Sequence, residues 1–154
     1  MIQKLSTFIF PGKVLRLLSQ READQLAKEW LGIFGENRHG ANAKAFLWHI
    51  FSNLRYPCTP GKKAIQYYAQ QVAAEVIILS NDRKLAFVTD LIQRAFLLDD
   101  YYVFPLNLAW TMAFTHDGSC YFARHKDFDR LDAENRYQVE KCRKKEAARL
   151  KGWA

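Results

Sequence analysis

The side chains in this sequence best suited to proton transfer or metal ligation are His39, His49, His116 and His125, with Cys58, Cys120 and Cys142. A metal site would draw on His116, Cys120, His125 and Cys142. A metal-independent nuclease would use two histidines as general acid and base. Hairpin geometry argues against both. Asp117-Gly118 is a strong turn signal between two strands. A two-residue turn there sets His116 opposite Ser119, Phe114 opposite Tyr121 and Trp110 opposite His125. His116 and His125 then share a face but stand about six residues apart, on the order of 20 Å along the ladder. They cannot share one zinc or one proton, and Cys120 points to the other face. A three-residue turn would bring Cys120 onto the face of His116 and still leave the two histidines far apart. The spacing matches no standard zinc pattern.

A pairing of His49 with His116 or Asp117 across a helix–sheet contact is geometrically possible, and keeps a histidine-dependent nuclease or hydrolase as a third reading. Otherwise His116 reads as a hairpin-tip residue bonded to a neighbour such as Thr115 or Asp117. The sequence holds no P-loop, no dinucleotide-binding glycine pattern and no nucleophile elbow. We therefore assign no catalytic residue, no metal and no cofactor.

These side chains need elements to hold them. Ser19-Gln-Arg-Glu22 is a capping box, and Ala23, Leu26, Ala27, Trp30, Ile33 and Phe34 follow as a buried helical stripe ending near Gly35. Glu36–Asn42 reads as a loop. In a second helix, Phe46, Leu47, Ile50, Phe51 and Leu54 form the broad stripe, while Ala45, Trp48, His49 and Ser52 fall on the other side. Trp48 then either packs against a second layer through Trp30 or stands exposed as a partner anchor. Tyr56–Gly61 is a turn. Lys62–Ala74 is a third helix with Ala64, Ile65, Tyr68 and Val72 inward.

Glu75–Leu79 is a strand. Lys84–Leu98 is ambiguous: LAFV could be a strand, and Thr89 could cap a short helix to Ala95. Tyr101–Phe104, Leu108–Thr115 and Cys120–Arg124 follow as strands, then Asp127–Lys151 as a long polar helix. The apolar run in MIQKLSTFIF reads as an edge strand, too short for a secretion signal. Helices first and hairpins after imply an α+β fold. The expected architecture is an antiparallel sheet of about four to five strands packed on one face by N-terminal helices, with a long basic C-terminal helix. The chain is expected to be one domain over 1–154, with a core over about 13–125 and the helix over about 127–151.

The chain has 154 residues, 49% of them hydrophobic and 14% aromatic, which suits a single globular domain with a real core. Three irregularly spaced cysteines suggest free thiols in a reducing compartment. No apolar run is long enough for a membrane helix, so we expect no membrane partner and a cytoplasmic location. The net charge of +7 permits an anionic partner. Its densest cluster is Lys141, Arg143, Lys144, Lys145, Arg149 and Lys151. The bland reading is a solvated helix docked by its first half; the sharper one is an arm that contacts phosphates.

The helix FLWHIFS (Phe46–Ser52), then Pro57-Cys58, then WTMAFTHDGSCYFAR (Trp110–Arg124) resemble a bacterial family of small cytoplasmic proteins that carry a domain of unknown function. The resemblance spans roughly residues 23–124. This chain differs in having Asp117 where the pattern has Glu, and in its basic C-terminal helix. The family brings no established activity; its members are similar in kind to immunity proteins, which neutralise a toxin by direct binding.

We therefore expect a non-enzymatic protein-binding protein, with a toxin as the partner class and Trp48, His49, Ser52, His116 and Asp117 as its binding residues. The alternative is a nucleic-acid-binding module using the C-terminal helix. Inhibitors of nucleases usually present acidic surfaces, for which Asp99-Asp100 and Asp127–Glu134 are the available candidates here. The expectation leaves the oligomeric state open.

Overall fold

The computed structural model describes residues 12–36, 46–52, 56–92 and 98–152. His39, Ala45, Leu54, Trp153 and the apolar N-terminal run lie outside them, as does most of the short helix that Thr89 could cap. The chain runs β1 (Val14–Leu17), α1 (Gln20–Phe34), α2 (His49–Ser52), β2 (Thr59–Pro60), α3 (Gly61–Ala69), β3 (Val76–Ser80), β4 (Ala86–Thr89), β5 (Tyr101–Pro105), β6 (Trp110–Phe114), β7 (Cys120–Arg124) and α4 (Phe128–Leu150). Among the described residues every strand pairing is antiparallel, in one seven-stranded sheet ordered β1-β4-β3-β5-β6-β7-β2.

The fold is thus α+β with an antiparallel sheet and a C-terminal helix, but two expectations need correction. The sheet has seven strands, because short β1 and β2 extend its two edges. The helices also cover both faces. One face packs Ile77, Leu79, Tyr102, Phe104 and Ala113 beneath α1 and the segment around α2. The other packs Ile78, Phe87, Val103, Trp110 and Phe122 beneath α3 and the first turns of α4. The signal lay in composition: β3 (VIILS) and β5 (YYVFP) are buried at every position. Runs without polar alternation are what a sheet covered on both sides requires.

α1 forms as its sequence dictates. Ser19 accepts from the Glu22 amide, and Glu22 accepts from the Ser19 amide, which satisfies donors that every helix start leaves unpaired. Ala23, Ala27, Trp30 and Phe34 are buried, with Leu26 and Ile33 partly buried against them. The Trp30 indole donates to Thr111 Oγ1 at 2.9 Å. α3 is shorter than expected: Ala64 and Tyr68 face inward, but Ile65 is half-exposed.

The β6–β7 hairpin differs in register from a two-residue turn. Phe114 pairs with Cys120 and Trp110 with Arg124. Thr115 N donates to the Ser119 carbonyl, so His116, Asp117 and Gly118 form a three-residue loop. Gly118 sits at φ +82°, the left-handed position such loops require. The extra residue moves every β7 side chain to the other face. Cys120 joins Trp110 and Phe114, while Tyr121 turns to the α1/α2 side. Burial of Tyr121 with Trp110 and Phe114 is therefore excluded.

Candidate functional site

The segment before α2 is a turn through Leu47 and Trp48, not a helix from Phe46 onward. The helical wheel misplaces Trp48 for that reason. Its side chain is 8% exposed and belongs to the core, so it is no exposed anchor. Its ring stacks on Tyr121 at 6.3 Å and meets the His49 ring edge-on at 4.6 Å. Its indole N–H donates to Asp100 Oδ1 at 3.1 Å.

Asp100 organises the cluster. Its carboxylate takes the Trp48 indole, the His116 backbone N–H at 3.0 Å and the His116 ring, with Nδ1 3.0 and 3.1 Å from its two oxygens. Its backbone carbonyl accepts from Asn81 N. Asn81 Oδ1 in turn accepts from the Tyr102 hydroxyl at 2.7 Å and from Leu47 N at 3.0 Å. The Tyr102 hydroxyl also accepts from Trp48 N. The chain before α2, the turn after β3, the start of β5 and the hairpin tip are thereby tied together.

A carboxylate turned inward needs such donors, since an unpaired buried charge is costly. The sequence named Asp100 only as part of an acidic surface. The missed signal was its place directly before the wholly apolar β5.

His116 lies above this network. Its ring centroid is 5.2 Å from Phe46 and 6.2 Å from Trp48, and its side chain is 49% exposed. The Asp100 carboxylate raises its pKa above the ordinary value, through the hydrogen bond first and through charge second. Asp117 is held at about 2 by the Thr115 hydroxyl and then by the Ser119 amide. His49 is half-buried, 5.3 Å from Phe46, and Ser52 is exposed with its hydroxyl on the His49 carbonyl. The rings of Phe46 and Trp48 thus lie against both His49 and His116, which come from segments far apart in sequence.

The other candidates do not join them. His125 lies past the far end of β7, where its Nδ1 accepts from Asp127 N at 2.9 Å. Cys120 Sγ is on the other face, 3.3 Å from the Gly61 carbonyl. Among the described residues no three His, Cys, Asp or Glu side chains are grouped to hold a metal ion.

In α4, Leu131 is buried and Asn107 bonds its first turns through the Leu131 carbonyl and Asn135. Lys141, Arg143, Lys144, Lys145, Arg149 and Lys151 are all exposed. Arg143 is paired with Glu140 and Arg149 with Glu146. The acidic stretch Asp127–Glu134 is largely countered within the helix, by Arg130 and Arg136. Among the described residues no helix is long and apolar enough to cross a membrane. No protein-family model, curated protein or solved structure matches the chain.

Proposed function

We propose that the protein binds another protein without catalysing a reaction, through the surface formed by His49, Ser52, His116 and Asp117 over the buried Trp48. The observation that carries this reading is the Asp100 network. It fixes the indole, the His116 ring and the hairpin backbone in one rigid arrangement, so the surface is ordered before a partner arrives, and preorganisation is what lowers the cost of association. A toxin neutralised by direct contact is the partner class that the sequence resemblance implies. Asp100 is spent internally, and Asp132 and Glu134 are matched by arginines. A partner with a strongly basic active site would therefore find little free acid here.

The experiment is a set of variants on the exposed positions. Ser52→Arg should weaken the complex by about 2 kcal/mol with the fold intact, and Asp117→Arg by at least as much, in part by loosening the hairpin tip that its carboxylate holds. An unchanged affinity in both would sink the assignment.

A second reading has one observation in its favour. Tyr137 is 65% exposed and lies one helical turn before Lys141, at helical spacing that puts it on the same face as Lys144. A stacking ring beside lysines is a feature of phosphate-chain binders. If α4 binds nucleic acid, affinity should fall steeply with salt, by about 0.7–0.9 log units per log unit for each phosphate neutralised.

A further inference from the structure

β2 is two residues long and covers β7 only at Phe122 and Tyr121. β7 continues to Arg124, so among the described residues no strand lies beyond its last positions on that edge. Tyr56 closes the gap in part, with its hydroxyl donating to the Arg124 carbonyl. What is left is a cavity of about 550 Å³, within the range that takes a small molecule.

Its composition is specific. The rings of Tyr56, Tyr67 and Phe122 wall it, with Tyr67 and Phe122 5.9 Å apart. Arg124 and Lys126 also line it, and among the described residues no carboxylate does. The Arg124 guanidinium lies 5.5 Å from the Tyr67 centroid, 6.0 Å from Phe122 and 4.4 Å from Phe128. Stacking fixes the plane of the guanidinium but uses none of its five N–H donors. Among the described residues neither Arg124 nor Lys126 has an acidic side chain within salt-bridge distance. A smaller cavity of about 270 Å³ shares Tyr56 and Lys126 with the first, and adds Glu36 and His125.

We propose that this cavity is a binding site for a planar aromatic molecule that carries an anionic group, a phosphate or a carboxylate. The ring stacks among Tyr56, Tyr67 and Phe122. The anion takes paired N–H donors from Arg124, with Lys126 as the second cation. A carboxylate or phosphate fits the planar fork of an arginine better than a halide or a neutral acceptor does. An apolar ring alone leaves both cations without a partner. An inorganic anion alone leaves the aromatic walls wet.

The test uses the full chain and titration calorimetry at low salt, with 5′-AMP and 2-naphthoate as ligands, adenosine and inorganic phosphate as the fragments of the first, and 2-naphthamide and acetate as those of the second. At least one of the two anions should bind, and bind about tenfold or more tighter than its fragments. Preference for AMP assigns the phosphate, and preference for naphthoate the carboxylate. Arg124→Gln should weaken binding about tenfold or more and Lys126→Gln by about threefold. Lys126 is exposed, so its variant separates binding from folding; Arg124→Lys should restore part of the affinity by restoring the charge. The proposal is overturned if neither anion binds at about millimolar concentration, if adenosine binds as tightly as AMP, or if both glutamine variants bind like the parent.

Discussion

Asp100 and His116 show how much one largely covered carboxylate decides. The pair raises the His116 pKa, so the folded state favours the protonated ring. Its contribution to stability is fully present below about pH 6.5, the ordinary histidine value, and is lost as pH rises through the raised value. We expect His116 in the native protein to titrate above 6.5 by NMR, and Asp100→Asn to bring its midpoint back down. An unmoved midpoint would mean the carboxylate is not the cause. Asp100→Ala removes the acceptor for the part-buried Trp48 indole and for two donors of the half-exposed His116, and should cost about 1–3 kcal/mol in chemical denaturation, most of it from the indole left without a partner. If His116→Ala folds normally, it should keep any biological activity that does not depend on this surface. A measurable turnover lost in that folded variant would contradict the non-catalytic reading. Trp48→Ala is not a clean probe of binding, because the side chain is buried and its loss would disturb the fold as well.

At the scale of elements, the hairpin carries the sharpest expectations. Gly118 holds φ +82° and has open space around an added Cβ. Gly118→Ala should therefore cost about 1 kcal/mol through backbone strain alone, and a wild-type denaturation midpoint would show that the loop relaxes. Trp110 is fully buried among Tyr68 and Phe122, and Trp110→Ala should cost about 3–5 kcal/mol. An unchanged melting temperature would show the face assignment to be wrong.

The same elements show what was legible in the sequence. α1 was, because its cap and its stripe obey local rules. β7 was legible to the residue. Its pairing was not, because Asp117-Gly118 is compatible with a two- or a three-residue loop and one residue of register reverses both faces. Trp48 was misplaced because a wheel assumes a helix where the chain makes a turn. His49, His116 and Asp117 were singled out from residue type, yet Asp100, Asn81 and Tyr102, which hold them, were not. Their roles depend on contacts between elements far apart in sequence.

For the whole molecule, charge and shape point to different surfaces. The densest basic run, Lys141 to Lys151, lies at the exposed end of α4, while the ordered polar cluster sits at the α2–hairpin corner. The two leading functions therefore differ in which variants matter. Capture of a partner on immobilised protein, followed by comparison of variants, separates binding at the corner from binding at α4. We expect one stoichiometric protein partner that is retained by the Lys141→Gln/Lys144→Gln/Lys145→Gln variant and released by Ser52→Arg or Asp117→Arg. Retention by both corner variants, or loss only when the lysines are neutralised, would contradict that expectation.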